Sequence, residues 1–434
     1  MFLTGRTALL VGLGVVPLVL LAGAGWPAWP VTLGWLALCV ALVAVDAASA
    51  ADPATLAVQR VLPSRVRLGE PVAGELWLRA GRRRVRGMVR DAWQPTAGAP
   101  LARAAIDIPA GERRLVRVPL LPRRRGALRS GFVVVRALGP LGLAGRQRRI
   151  DAPGSIRVLP PFASRKHLPS RLARLRELDG NTSIQVRGQG TEFDSLREYV
   201  RGDDVRAIDW RATARAGSTM LRTWRPERDR HVVILIDTGR TSAARVGDGV
   251  RLDASMEAAL LLAALATRAG DHVHLVMFDR AVRARVTGID GAALLPALVD
   301  AMAAVEPQLI DTDWDAAFAQ VRALTSRPSL VVVLTAQDAA ESARGLLGSL
   351  PGLTRRAHVL LGSATDTALH EIAALRGSAD EVYRAAAAER TLRDAARLSA
   401  AVGRAGAEAV TGTPEDLPPR IADRYLALKA AGRL

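Results

Sequence analysis

The hydrophobic pattern changes character along the chain, and each change predicts a different kind of element. Residues 7–25 and 26–45 carry no charged side chain and are mostly Leu, Val, Ala and Gly. Each run is close to the roughly 20 residues a helix needs to cross a bilayer. Trp26-Pro27-Ala28-Trp29-Pro30 separates them, with proline to break the helix and indoles suited to the headgroup level. A transmembrane helical hairpin is predicted over residues 1–50. Over 60–158 the pattern shortens to alternating runs broken by Gly and Pro, among them 74–79, 104–108, 114–118 and 131–136. Half-buried strands of a small antiparallel β-sandwich have this pattern. Residues 159–230 read as a connector with a helical piece near 169–178. Over 231–434, continuous apolar runs at 232–236, 273–278, 330–334 and 358–361, with a weaker one at 407–410, alternate with helical stretches. Those stretches are 251–269, 291–304, 314–324, 339–350, 367–376 and 390–404. Strands with no polar face between helices predict a doubly wound parallel sheet covered on both sides. The fold class is α/β, preceded by the hairpin and the sandwich.

Charge sets the orientation. Arg6 precedes the spans, Arg60, Arg65 and Arg67 follow them, and the turn between carries none. Positive flanks stay inside, so both termini and the soluble body are expected in the cytoplasm, with two spans in the inner membrane. A cleaved signal peptide is the other reading of residues 1–25, and a second span directly behind it argues for retention. The only cysteine, Cys39, lies in the second span, which rules out an intramolecular disulfide and a soluble thiol nucleophile. Asn181-Thr182-Ser183 is a glycosylation sequon that a cytoplasmic chain would not use. The net charge of +18 is concentrated: residues 60–150 hold 21 Arg and 5 acids. Lys166 and Lys429 are the only lysines, so codon bias can explain arginine over lysine but not this confinement. An anionic membrane surface is the expected partner of that segment. Nucleic acid is not, since zinc-finger spacing and RNP-like aromatic motifs are missing.

Residues 192–215 interleave Arg197, Arg201, Arg206, Arg211 and Arg215 with Glu192, Asp194, Glu198, Asp203, Asp204 and Asp209. Guanidinium forks then have carboxylates within a few residues to pair with. Tyr199, Ile208 and Trp210 fall at spacings that would bury one side. The expectation is a charged network pressed against a domain, in which Arg206 and Asp209 are members whose loss would strand a buried partner. Asp203, after Gly202, reads as the N-cap of a helix over 205–210. Docking the connector is the plainer role for this network, and a partner-binding or acid-base surface on Asp203, Asp204 and Asp209 is the functional one.

The string Glu192-Phe193, Arg197-Glu198-Tyr199, Gly202-Asp203-Asp204, Arg206, Ile208-Asp209-Trp210 and Thr213-Ala214-Arg215 resembles the signature of the bacterial family catalogued as "domain of unknown function 58". Pro122-Arg123-Arg124-Arg125-Gly126, Gly139-Pro140-Leu141-Gly142-Leu143 and the closing segment from Leu417-Pro418 to Leu434 extend the resemblance to about 60–434. It implies pairing with a MoxR-type AAA+ ATPase in chaperone or assembly work.

Asp237 ends the first apolar strand of the last domain and is followed by Thr238-Gly239-Arg240-Thr241-Ser242. The order resembles a von Willebrand factor A domain, which implies a divalent cation held by an Asp-x-Ser-x-Ser loop, a distant Thr and a further Asp. Here Gly239 replaces the first hydroxyl and Ala336, in Thr335-Ala336-Gln337-Asp338, replaces the acid. A degenerate site of Asp237, Thr241 and Thr312 is expected, too poor in oxygen ligands for tight Mg²⁺. Asp237 capping the following turn is the structural alternative. No cofactor is expected.

Enzyme motifs are missing from the sequence. Neither lysine lies in a phosphate-binding loop, no G-x-S-x-G elbow occurs, and His370-Glu371 has Ala374 where a second metal-binding His would stand. The expected function is a membrane-anchored, non-catalytic adaptor for protein partners. Its rivals are a metal-dependent hydrolase or transferase at the Asp237 edge, and a scaffold in cell-envelope biogenesis.

Overall fold

Both apolar runs are helical in the computed structural model, which describes residues 1–100, 103–185, 192–201, 203–225, 230–336 and 343–434. The chain divides into two compact units, Met1–Leu159 and Pro160–Leu434. In the first, α1 (Gly5–Gly12) and α2 (Val15–Gly23) follow one another, and α3 (Ala28–Ser49) returns. Gly5–Gly23 and Ala28–Thr55 are each long and apolar enough to cross a membrane. The turn of the chain between α1 and α2 meets α3 at Gly14, where a Cβ would lie 2.3 Å from Trp35 Cδ1. The indole therefore needs glycine there.

Among the described residues, nine strands complete the unit: β1 (Phe2–Leu3), β2 (Ala57–Val61), β3 (Arg65–Arg67), β4 (Val72–Arg79), β5 (Val85–Trp93), β6 (Ala104–Ile108), β7 (Arg113–Leu120), β8 (Gly126–Leu138) and β9 (Ala144–Leu159). One sheet runs β1-β9-β8-β5-β6 with β3 beside β9, and the other β2-β4-β7. The pairing is antiparallel except for β3 on β9, which is parallel and corrects the wholly antiparallel expectation. Alternation does the work that the sequence predicted: Val85, Gly87 and Val89 of β5 face in while Arg86, Met88 and Arg90 face out. Inward side chains of the two sheets, including Leu76, Leu78, Ile108, Val133 and Val135, form one core, and Leu120, Leu128, Ile156 and Val158 form a second. Across it Arg60 of β2 reaches Asp91 of β5 bidentately, at 2.6 and 2.8 Å. Trp93 Nε1 and Ser130 Oγ donate to the same carboxylate at 2.7 and 2.8 Å.

The ends of the apolar helical hairpin are built into this module. β1 pairs with the start of β9, Phe2 opposite Gly145. Thr4 donates its N–H to Leu143 O and its hydroxyl to Gly142 O, and the Thr7 hydroxyl also reaches Leu143 O. At the other end Asp46, in the last turn of α3, accepts the N–H groups of Leu141, Leu143 and Ala144 at 2.7, 2.7 and 2.9 Å. Loop 139–144 thus holds the beginning of α1 and the end of α3 together.

The second unit opens with α4 (Leu168–Gln185), which packs on α6 (Arg251–Arg268) and α12 (Leu417–Ala430). Leu175 is buried there and Arg171 bonds Asp423 at 2.7 Å. The first part of the expected connector is therefore part of the α/β unit. After the hairpin β10 (Glu192–Glu198) and β11 (Met220–Arg225), which encloses α5 (Trp210–Ala216), come β12 (His231–Asp237), the short ladder β13 (Arg245–Val246) and β14 (Gly249–Val250), β15 (His272–Phe278), β16 (Val282–Val286), β17 (Leu330–Leu334), β18 (His358–Ala364) and β19 (Glu408–Gly412). The main sheet has the order β16-β15-β12-β17-β18-β19. All its neighbours are parallel but β16, an antiparallel edge strand that the expected sheet lacked. Val-Arg-Ala-Arg-Val is half exposed, so it carries no continuous apolar run. In contrast every residue of β17 is buried. α6 covers one face, while α8 (Trp314–Leu324) and α9 (Arg344–Thr354) contribute Trp314, Phe318, Leu346 and Leu350 to the core on the other. Numbering in order, α7 (Leu294–Ala303), α10 (Ala368–Ala373) and α11 (Ala379–Arg404) fill the remaining crossovers. α11 starts well before residue 390 because Ser378 caps it, accepting the N–H of Glu381.

Candidate functional site

Two strands on either side of the topological switch, β12 and β17, end in oxygen-bearing side chains, and this is where doubly wound sheets bind ligands. Asp237 is buried, and its Oδ1 accepts the N–H of Gly239 at 2.8 Å and the Thr312 hydroxyl at 2.5 Å. Oδ2 accepts the hydroxyls of Thr241 at 3.2 Å and Thr335 at 2.6 Å. The structure thus brings Asp237, Thr241 and Thr312 together and adds Thr335. A Cβ at residue 239 would lie 2.4 Å from Thr312 Oγ1 and 3.0 Å from Asp237 Oδ1. Glycine is what lets Thr312 reach the carboxylate directly.

The donor set does not fit a tight divalent-cation site. It offers one carboxylate, already served by four donors of its own domain, and hard cations need several oxygen ligands with matching charge. The buried Arg251 guanidinium donates to Thr241 O at 2.9 Å and Ala364 O at 3.0 Å, adding positive charge beside the loop. Asp338 lies outside the described residues.

Next to this cluster Asp279, at the end of β15, is fully buried and accepts from Thr238 Oγ1, Arg283 Nε and the N–H groups of Arg280 and Ala281. Burial would raise its carboxyl; the Arg283 guanidinium and the other donors outweigh that and hold it below the usual carboxylate range. The opposite edge of the sheet carries stacked imidazoles. His231 Nδ1 meets His274 Nε2 at 2.9 Å, and His274 Nδ1 meets Thr287 Oγ1 at 2.8 Å. His272 stacks on His231 with ring centroids 5.3 Å apart. Direct pairing of His231 with His274 gives these rings structural contacts rather than a common ligand.

The signature folds as a small motif of its own. Arg197 on β10 pairs with Asp203 at 2.6 Å, and Asp203 also accepts the Val200 N–H at 3.0 Å. Asp203 is therefore not the helix cap expected. Asp204 caps a 3₁₀ turn over Val205–Ala207 through Arg206 N, and Asp209 caps α5 through the N–H groups of Arg211 and Ala212. Asp209 Oδ2 also takes Arg222 of β11 at 2.5 Å. Arg222, then these N–H groups, hold the Asp209 carboxyl below its ordinary range. Arg206 and Arg215 are exposed, and Trp210, expected inside, is 71 % exposed. Tyr199 and Ile208 are half-buried, with Tyr199 N donating to Thr219 O at 2.7 Å. The segment is short of apolar residues, so its fold rests on caps and ion pairs, and the indole stays outside. Gly202 and the side chains of residues 192–195 lie outside the described residues.

Residues 195–370 match the family described as Protein of unknown function DUF58. The span starts inside β10 and ends in α10, so it takes in the ion-paired motif, the Asp237 cluster and the sheet through β18. Similar solved structures include the SpRpn10 VWA domain, at 12% identity over 46% of this chain and 94% of that one, with a TM-score of 0.27. The complex of Zinc 2-glycoprotein (ZAG) and Prolactin inducible protein (PIP) from human seminal plasma matches at 13% identity over 24% of this chain and 92% of that one, with a TM-score of 0.20. A family 123 glycoside hydrolase from Clostridium perfringens matches at 11% identity over 25% and 28%, with a TM-score of 0.16. At such scores none of the three bears on function. No curated protein matches the sequence.

The bond of Thr335 to Asp237, the roles of Asp279 and Arg251, and the pairing of His231 with His274 escaped the sequence reading. For Thr335 a signal existed, since a hydroxyl directly after an apolar strand beside the Asp237 strand stands where such sheets collect ligating groups.

Proposed function

We propose that the chain is a membrane-anchored, non-catalytic adaptor that docks a protein partner on its DUF58 motif. One observation carries this reading: in that motif Trp210 is 71 % exposed, Val200 62 % and Val205 61 %. Single exposed apolar residues are ordinary, but three in one short segment, an indole among them, have the composition of an interface core. Four of the charged side chains around them are engaged with each other, through Arg197–Asp203 and Arg222–Asp209. The Asp237 cluster supports the non-catalytic part of the reading, because its carboxylate and hydroxyls satisfy one another.

The resemblance to the DUF58 family makes a MoxR-type AAA+ ATPase the proposed partner. The proposed location is the inner membrane, with two spans and the body in the cytoplasm. Arg6 and Arg60 flank an uncharged turn, and loop 139–144 holds both ends of the hairpin on one side.

The test is capture of the co-expressed ATPase by full-length chain from solubilised membranes, wild type against Trp210→Ala. Capture is expected to fall about tenfold or more, as for an interface aromatic, with an unchanged melting temperature. Equal capture by the variant would reject the docking surface, and a periplasmic reporter signal after Leu434 would reject the orientation.

A further inference from the structure

In the N-terminal unit, where β1 enters α1, a cavity of about 600 Å³ opens beside loop 139–142. Arg6, Arg86, Arg103 and Arg136 line it, and among the described residues no carboxylate does. Arg136 is set in place by Gln147, to which its Nε donates at 2.6 Å, and by Phe2, whose ring centroid lies 4.9 Å from its guanidinium. Asp107, across the ladder from Arg86, is already held by both forks of Arg84. Among the described residues no ion pair joins Arg6 or Arg103 to an acid, while Arg86 acts on the Asp107 carboxyl only behind Arg84. Like charges gathered in one cavity repel, so the arrangement becomes favourable when an anion enters. Arg6 adds to this, since it sits in the first turn of α1, at the positive end of the helix dipole and with no acid beside it. Its guanidinium rests on Gly142, where a Cβ would lie 2.9 Å from Nη1.

The remaining walls are apolar. Leu3 is 65 % and Met88 42 % exposed, and the outward side chains of Leu9, Leu13 and Leu20 continue along the first span from the same end. The matching ligand is anionic at one end and apolar at the other, and it sits at the depth where a span leaves the bilayer.

We propose that this cavity binds the phosphate ester of an anionic phospholipid, with the arginines on the headgroup and the acyl chains against the exposed face of α1 and α2. Guanidinium forks match phosphate oxygens bidentately, and the volume is that of a small-molecule site. The site rests on reading the two apolar helices as membrane spans. It differs from diffuse attraction between a basic surface and a charged bilayer in depending on named side chains.

The test is native mass spectrometry of the full-length chain in neutral detergent, titrated with phosphatidylglycerol, phosphatidylcholine or inorganic phosphate. Arg86→Gln/Arg103→Gln is compared with Arg83→Gln/Arg114→Gln, which removes the same charge from exposed positions outside the cavity. The cavity variant is expected to lose phosphatidylglycerol affinity about tenfold or more and the control less than about twofold. Equal losses from the two variants, equal retention of phosphatidylcholine, or displacement of the lipid by inorganic phosphate would each overturn the proposal. Release of the wild-type chain from membranes by alkaline carbonate would overturn it together with the membrane reading. A chain that stays membrane-bound without selecting the anionic lipid would sink the cavity alone.

Discussion

Thr335 donates its hydroxyl to Asp237 across 2.6 Å, tying the end of β17 to the end of β12 at the switch point of the sheet. Both residues are buried. Thr335→Val keeps the shape and removes a donor from a carboxylate that water cannot reach. The expected loss is about 1.5–3 kcal/mol in denaturant unfolding, the range for hydrogen bonds to charged groups. Thr241→Val removes a bond of 3.2 Å from a half-buried hydroxyl and is expected to cost less than about 1 kcal/mol.

Melting curves of the full-length protein in millimolar Mg²⁺ and in chelator are expected to superimpose. A cation bound at a hundredth of its free concentration would add about 2.7 kcal/mol to stability. A clear upward shift that vanishes in Asp237→Ala would show that the Asp237 cluster opens to a metal.

Two arginines are expected to behave oppositely. Arg60 and Asp91 form an ion pair whose side chains are only 3% and 4% exposed. Arg60→Met leaves that carboxylate buried without its cation, so unfolding experiments are expected to show a loss of about 3–5 kcal/mol. Arg206→Ala, at an exposed position in the ion-paired motif, is expected to change stability by less than about 0.5 kcal/mol.

Burial first, and then the neighbouring His231 and His272 rings, hold His274 below the ordinary imidazole value of 6.5, against an opposing pull from Asp290. The unfolded chain therefore binds a proton at a pH where the folded chain does not. This contribution to stability is complete above 6.5 and is lost as pH falls from there through the folded value. Urea unfolding between about pH 7.5 and about pH 5 should show the decline, by at most about 1.4 kcal/mol per pH unit from this site. His274→Gln is expected to flatten it, and an unchanged slope would assign the decline to other groups.

The α/β sheet was legible because its strands are buried on both faces, so Val232 to Ile236 and Leu330 to Leu334 read as unbroken apolar runs. β16 was not, because an edge strand needs only one inward face and can spend the other on arginine. The same physics explains the ion-paired motif around Asp203 and Asp209. Dense opposite charge suggested ion pairing, and Arg197 does pair with Asp203, yet sequence spacing could not separate Asp203 as an acceptor for Arg197 from Asp204 and Asp209 as caps. Nor could it place Trp210 outside, since period alone does not tell whether a neighbouring surface exists to cover a side chain. Asp237, Thr241 and Thr312 could be grouped by likeness to a known loop, whereas Thr335 reaches them only through the strand order.

Asp46 belongs at once to the apolar helix α3 and to the turn that starts β9. A fragment begun just ahead of β2, the obvious route to a soluble form, would strip β1 from the edge of β9 and leave three N–H groups at Leu141, Leu143 and Ala144 without their acceptor. The hairpin is thus one wall of the domain beside it, and studies of that domain in isolation would examine a molecule with a face torn away.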